Sequence, residues 1–329
     1  MTTRADIAKL AGVSESTVSY AISGRRSISE ATKQRVMAAI EQTGYKANYA
    51  AAALASGSPR MVTILTANPF ERPPSQIDGA LLDGIVTGVR ESGSHSVIWP
   101  FSNDKNAEIE ALIKLNFSGG VILMDVTDED QRVHSLNRAN IPFVILGRAK
   151  FDFAYNFVDR DFESVYKLGL EHLKELGHIN IGVLATTSEL NPYLKKVASA
   201  LKLKLKVISV ANTLIGGNAL AKNFKQEHPE ITGVISILDY VTTAFVDAAA
   251  QYGLSIPDEL SIIGVNILEE QAESSNPKIS TIAFNAYEMA RSSGKIMVEV
   301  MAADKNVRKK KSELWVGDFV DRGSTRAIS

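Results

Sequence analysis

Along residues 3–44 the apolar positions recur at three- and four-residue spacing and are punctuated by glycine. Ile7, Leu10 and Ala11 share one face of a first helix, which Thr3 and Asp6 start as a capping box. Gly12 supplies the positive φ with which the chain leaves that helix, and Ser14 caps a second one. In the second helix Val18, Ala21 and Ile22 turn inward, while Ser16, Thr17, Ser19 and Tyr20 turn out. Small Ala8 lets the two helices cross closely. Ser29 caps a third helix with Val36, Ala39 and Ile40 as its buried stripe, and Gly44 ends it. Three short helices whose second bears hydroxyls outward form the pattern of a helix-turn-helix that enters the DNA major groove. The plainer alternative is a small helical domain with polar surface serines.

Beyond Gly44 the pattern changes. Ala50 to Ala55 favour helix, yet so short a segment is marginal alone in water. Ser56-Gly57-Ser58-Pro59 then breaks the chain. One reading is a plain linker; the other is a helix that forms only against a dimer mate and DNA, with Leu54 wedged between base steps in the minor groove. From Met61 onward β-rich runs (61–67, 96–100, 120–124, 143–147) alternate with helical runs (77–91, 107–115, 129–140). A second series follows at 180–185, 204–210, 234–238 and 261–265. Such alternation predicts parallel sheets covered by helices on both faces, arranged as two lobes. Ligands of such sheets sit beyond the carboxyl ends of the strands, which here would face each other across a cleft.

At 45% hydrophobic and 22% charged residues, the composition is that of an ordinary globular protein. No apolar run reaches the length of a membrane span, and the polar N-terminus has no secretion signal, so a cytoplasmic address is expected. The absence of cysteine removes disulfides, thiolate metal sites and cysteine nucleophiles. The net charge of −1 conceals an asymmetry. Arg4, Lys9, Arg25, Arg26, Lys33, Arg35, Lys46 and Arg60 outnumber Asp6, Glu15, Glu30 and Glu41, so residues 1–60 carry +4 and the remainder −5. A basic head on an acidic body suits phosphate binding at one end. The head is only mildly basic, so tight binding calls for two heads and hence a homodimer, with a tetramer left open.

Ala8-Lys9-Leu10-Ala11-Gly12-Val13-Ser14, Ser16-Thr17-Val18-Ser19, Ser29-Glu30-Ala31-Thr32, Gly44-Tyr45 and Asn48 stand in an order and spacing that resemble the lac repressor/galactose repressor (LacI/GalR) family of bacterial transcription regulators. The likeness continues through Glu171-His172-Leu173, Leu176-Gly177-His178, Tyr252-Gly253-Leu254, the run Ile256 to Gly264, and Asp321-Arg322-Gly323-Ser324-Thr325. The resemblance implies a helix-turn-helix headpiece (1–46), a hinge helix and linker (47–60) and a periplasmic-binding-protein-like α/β domain with parallel sheets (61–329) for effector binding and dimerisation. Its first lobe would comprise about 61–157 and 286–314, and its second about 158–285 and 315–329. It also implies a hinge role for Asn48, Ala51 and Leu54, although Ala47 and Ala52 stand where the family commonly has proline and arginine.

The expected function is that of a dimeric, sequence-specific DNA-binding regulator, a repressor of carbohydrate-related genes whose grip on a near-palindromic double-stranded operator depends on a small carbohydrate effector in the cleft. Ser16, Thr17 and Tyr20 would reach base edges, with Glu15 as a cytosine reader. Ser14, Ser19, Ser27, Ser29, Thr32 and Asn48 would position phosphates, and Thr3, Ser23 and Tyr45 complete the DNA-facing set. For the effector, Asp239 lies at a strand's carboxyl end, where it would grip hydroxyls or cap the next helix; Trp99 would stack on a sugar ring or pack in the core. Alignment with the family brings Tyr193 to a usual arginine, Arg160 (with Asp161 beside it) to an aspartate, and Asn266 to the first aspartate after a glycine. A usual sugar pocket therefore does not carry over unchanged. The competing reading is an effector-independent or non-sugar-responsive DNA-binding regulator. The five histidines are scattered; His172 and His178, near one helix end, read as surface or capping groups and not as a metal pair, and Lys202, Lys204 and Lys206 as the exposed face of a strand. Arg308 to Lys311 read as a solvated loop. No catalytic motif stands out, and no enzyme activity, cofactor, metal or membrane partner is expected.

Overall fold

A computed structural model describes residues 2–23, 26–45, 61–67, 75–101, 105–115, 118–303 and 310–328. The chain divides into two compact units, Met1–Arg60 and Met61–Ser329. The expected hinge residues Asn48, Ala51 and Leu54 lie outside the described residues, as does the side chain of Ser23.

The first unit holds α1 (Arg4–Ala11), α2 (Glu15–Ser23) and α3 (Glu30–Thr43). Thr3 and Asp6 form the capping box: the Thr3 N–H donates to the Asp6 carboxylate at 2.8 Å and the Asp6 N–H donates back to the Thr3 hydroxyl. Gly12 adopts φ 65°, a conformation that a side chain would disfavour, and turns the chain toward α2. The core is Ile7, Ala8, Ala11, Val18, Val36 and Ala39, with Ala21, Ile22, Ile40 and Tyr45 packed on its rim. Leu10 is the exception to the expected stripe: it is 50% exposed, and Ala8 takes the inward place. At this close crossing small Ala8 and Ala11 pack inward beside Ile7, and Leu10 is left on the outer side of the helix.

The second unit contains two sheets, each of six strands among the described residues. In lobe 1, β1 (Met61–Ala67), β2 (His95–Phe101), β3 (Gly120–Leu123), β4 (Phe143–Leu146), β5 (Asn156–Arg160) and β11 (Ser312–Trp315) run parallel in the order β11-β5-β4-β3-β1-β2. Helices α4 (Gln76–Glu91), α5 (Lys105–Leu115), α6 (Gln131–Arg138) and α12 (Ala286–Ala302) belong to this lobe. In lobe 2 the order is β12-β10-β9-β8-β6-β7, from β6 (Asn180–Ala185), β7 (Lys204–Ser209), β8 (Gly233–Ser236), β9 (Ser261–Gly264), β10 (Ser280–Ala283) and β12 (Asp318–Val320). Only β12 is antiparallel, against β10. Helices α7 (Phe162–Glu175), α8 (Pro192–Leu201), α9 (Leu214–Glu227), α10 (Asp239–Ala249) and α11 (Glu269–Ser274) complete this lobe.

The chain passes between lobes three times: after Arg160, between Ala283 and Ala286, and between Trp315 and Asp318. The first passage falls later than the boundary expected at 157, because β5 continues pairing with β11 through Arg160. Lys202 does not extend β7 as the lysine alternation suggested; it takes φ 59° as the C-cap of α8, and only Lys204 and Lys206 lie on the strand. His178 is 1% exposed, not a surface group. Its Nδ1 bonds the Thr232 hydroxyl and its Nε2 the Ser261 hydroxyl, each at 2.9 Å, joining the base of lobe 2 to the C-terminal tail.

Candidate functional site

In the first unit the candidate face is α2. Ser14 opens it: the Thr17 N–H donates to the Ser14 hydroxyl at 3.2 Å, and that hydroxyl also bonds those of Ser16 (2.7 Å) and Thr17 (2.8 Å). Four N–H groups at a helix start lack helical partners, so hydroxyls gathered there form a donor-rich surface suited to phosphate oxygens. Ser16 is exposed and Thr17, Ser19 and Tyr20 are half-buried, flanking buried Val18. Ser29 caps α3 and pairs with the Thr32 hydroxyl at 2.8 Å, and Ser27 is exposed beside them. Glu15 is held by the Arg4 guanidinium at 3.3 Å, so a cytosine amine would compete with an ion pair; both side chains are well exposed, and such pairs are weak. Thr3 is engaged in its capping box, and Tyr45 packs on the headpiece core. Arg26, which the sequence reading counted only in the basic balance of the head, stands over the Tyr20 ring at 5.9 Å and adds a cation beside the expected DNA-facing residues.

In the second unit, the junction where β5 enters α7 gathers several of the expected effector residues. Arg160 is the last residue of β5. Its guanidinium lies 4.6 Å from the ring centre of Phe162 and 4.8 Å from that of Phe284, and one of its N–H groups donates to the Asn266 amide oxygen. Asn266 in turn donates to the Ile237 carbonyl at 3.1 Å. Burial lowers the Arg160 pKa, while nearby Asp159 acts in the opposite direction. Asp159 itself accepts from Arg148 at 2.8 Å. Arg148 also donates to the Arg160 carbonyl and stands 5.5 Å from the centre of the Tyr193 ring, which stacks on Phe162. Thus Arg160, Tyr193 and Asn266 come together around Phe162. Phe284 and Arg148 were missed: Phe284 follows the short strand β10, which had not been read, and Arg148 follows β4 like any loop residue.

The other expected positions take different roles. Asp161 caps α7, accepting the Ser164 hydroxyl at 2.7 Å, and this bond holds its carboxyl below the usual range. Asp239 is 2% exposed and accepts from the Asn212 side-chain amide at 2.7 Å. It is the first residue of α10 and not its cap; Leu238 holds the cap position, and the side-chain amide oxygen (Oδ1) of Asn212 accepts from the Val241 N–H. Asn212 follows β7, so the strand-end rule that selected Asp239 applies equally to it. Trp99 belongs to edge strand β2, where its indole N–H donates to Glu108 of α5 at 2.9 Å and its ring packs with the Leu65–Phe101 cluster. That environment is the core-packing alternative, and it holds Trp99 in lobe 1 against a helix. Among the described residues no group of three or more ligand-type side chains is placed to hold a metal, and no helix is long and apolar enough to cross a membrane.

Comparison with known proteins bears on both units. Residues 3–48 match the family of bacterial regulatory proteins named lacI, and residues 170–325 match a periplasmic binding protein-like domain. The HTH-type transcriptional regulator MalR of Streptomyces coelicolor is 27% identical over 283 residues, 80% of each chain. The HTH-type transcriptional repressor PurR of Actinobacillus pleuropneumoniae is 25% identical over 352 aligned positions that span all of both chains. The same fold occurs in the lac repressor dimer bound to operator and the anti-inducer ONPF, which is 20% identical with a TM-score of 0.81 over 99% of both chains. It occurs too in a complex of the transcriptional regulator CelR with cellobiose, 19% identical with a TM-score of 0.69 over 98% of this chain and all of that one. The two matched segments together cover well over half of the sequence, one in each unit, and the chain belongs to the LacI family of bacterial transcriptional regulators.

Proposed function

We propose that this regulator is a repressor that works as a homodimer in the bacterial cytoplasm, binding a near-palindromic operator with two copies of α2 in successive major grooves and responding to a small, hydroxyl-bearing effector between its lobes. The observation that carries the DNA reading is the hydroxyl cluster of Ser14, Ser16 and Thr17 at the start of an α2 whose opposite side is anchored by Val18. Ser16, Thr17 and Tyr20 read base edges; Ser14, Ser19, Ser27, Ser29 and Thr32 position phosphates. Effector closure of the lobes shifts a population between two arrangements of the linkers, which form or release the hinge helices. Leu54, on this reading, is a minor-groove wedge. Leu54→Ala then weakens operator binding by about a few kcal/mol through lost unstacking contacts. An unchanged dissociation constant in a fluorescence titration removes the wedge.

The primary test is selection of genomic fragments on the full chain, followed by competition with bulk DNA. A two-fold symmetric consensus supports the proposal; fragments retained no better than bulk DNA sink it. Support also comes from the relatives, since MalR and PurR are named transcriptional regulators and the CelR structure holds cellobiose. One observation favours the second reading, an effector-independent regulator: Arg160 of lobe 1 already bonds Asn266 of lobe 2 directly. Calorimetric titration with a panel of sugars distinguishes the two, since heat of binding without effect on operator affinity, or no heat at all, favours effector independence.

A further inference from the structure

The Arg160 guanidinium is covered on its faces by Phe162 and Phe284, which leaves its edge for polar contacts. An arginine edge is a fork of parallel N–H donors matched to carboxylate or phosphate oxygens. Yet among the described residues Arg160 has no ion pair, and its side-chain hydrogen bond is to a neutral amide, that of Asn266. The adjacent carboxylates are committed elsewhere: Asp159 to Arg148 at 2.8 Å, and Asp161 to the first turn of α7. Arg160 is half-buried, and a guanidinium that has lost part of its water and is paired only with an amide is under-compensated, because one neutral hydrogen bond does not offset the partial desolvation of a charge.

A second observation concerns the same place. Tyr166, one helical turn beyond Phe162 and stacked on it at 5.7 Å, is fully buried, and its hydroxyl has no hydrogen-bond partner. Burial pushes this phenol up to about 12, and Arg160 and Asp159 are the charges it feels. It is therefore a neutral O–H donor beside an under-paired cation. An anionic oxygen accepts from both kinds of donor, whereas a sugar hydroxyl gives Arg160 no compensating charge.

We infer that the effector of this regulator carries an anionic group, a carboxylate or a phosphate, which the Arg160 edge binds in place of the Asn266 amide, with Tyr166 as an auxiliary donor and the rings of Phe284 and Tyr193 against the rest of the ligand. The inference rests on the effector reading above and narrows it from a neutral sugar to a sugar phosphate or sugar acid. Exchange of an amide for an anion at the lobe junction also gives the ligand a direct hold on the β5–β9 contact, since Arg160 ends β5 and Asn266 follows β9.

The test is thermal unfolding and calorimetry of the full chain with glucose 6-phosphate, glucuronate, glucose and inorganic phosphate. Binding of either anionic sugar at least tenfold tighter than glucose supports the inference, and which of the two binds separates phosphate from carboxylate. Arg160→Gln should abolish that preference. Asn266→Asp, which supplies a carboxylate to Arg160 from within, should weaken the anionic sugar at least tenfold while the protein stays folded. Glucose binding to wild type and R160Q alike overturns the anionic assignment and leaves the effector reading standing. No binding by any member overturns both, and a response to inorganic phosphate that R160Q retains marks an adventitious ion only and overturns the assignment.

Discussion

Tyr20 shows how one side chain sets what α2 is able to read. A phenol offers one donor and one acceptor, whereas an arginine at the same place would hold guanine through two parallel bonds. Arg26, poised over the Tyr20 ring, adds charge without occupying that position. Tyr20→Arg is therefore expected to introduce a guanine preference at one position of each half-site, worth about 1–3 kcal/mol of discrimination. Selection of binding sequences from a random pool checks it, and an unchanged consensus removes Tyr20 from the readers. Titration is also a property of single residues. His172, His178 and His228, all in lobe 2, are held below their ordinary pKa of 6.5, chiefly by burial. Above that pH both folded and unfolded chains are neutral at these positions, so stability is unaffected. As pH falls below it, the unfolded chain takes up protons that the folded chain resists, and stability drops until the lower folded-state values are passed. Urea midpoints should thus decline from pH 7 toward pH 5, and His178→Gln should flatten part of that decline whatever its effect at pH 7. A slope identical to wild type refutes the assignment.

At the scale of elements, the contact between α4 and α12 is the closest helix packing in lobe 1. Gly84 and Gly88 on α4 face Tyr287, Ala290 and Arg291, while Gly294 on α12 faces α4 in return. A Cβ at Gly294 would stand 2.6 Å from the Ile85 carbonyl oxygen and 2.9 Å from the Val89 nitrogen. Backbone atoms have no rotamer by which to yield, so Gly294→Ala should force the helices apart and cost about 1–3 kcal/mol. The measurement is the shift in the denaturant midpoint of the full chain; no shift means the helices separate at no cost. Of the eight strands read from the sequence, β1, β3, β4, β6, β8 and β9 are buried along their length, and their continuous apolar runs announce them; the edge strands β2 and β7, of mixed burial, were read from their β-rich composition. β5, β10, β11 and β12 were not visible. Each is short and lies beside a lobe crossing, and β11 and β12 close their sheets as edges with mixed burial. Their pairing comes from segments distant in sequence, such as Ser312 with Phe157, which no local window contains.

At the scale of the molecule, the proposed function gives the two units separate tasks. The basic balance of residues 1–60 against the acidic remainder concentrates attraction for phosphate in the headpiece, and on that proposal the larger unit senses the ligand. Three crossings tie its lobes, and side chains at the first crossing reach over to the loops after β9 and β10. A ligand that alters that contact is placed to bias the lobe arrangement, which is the requirement for allosteric control.

Local order sufficed for the headpiece. Its caps, glycine turns and apolar spacing act within a few residues of chain, so Thr3, Gly12, Ser14 and Ser29 were legible as signals and stand in the structure as caps and turns. The same holds for the alternation of long strands and helices. Tertiary structure alone decided the lobe junction. Arg160 looked like one departure from a family pattern and Asn266 like another, 106 residues apart. Only folding brings one against the other, sets Phe162 and Phe284 on the faces of the guanidinium, gives Asp159 to Arg148, and buries Tyr166 without a partner. The physical reason is range: capping and periodicity depend on neighbours along the chain, whereas desolvation and charge compensation depend on everything that closes around a group in space.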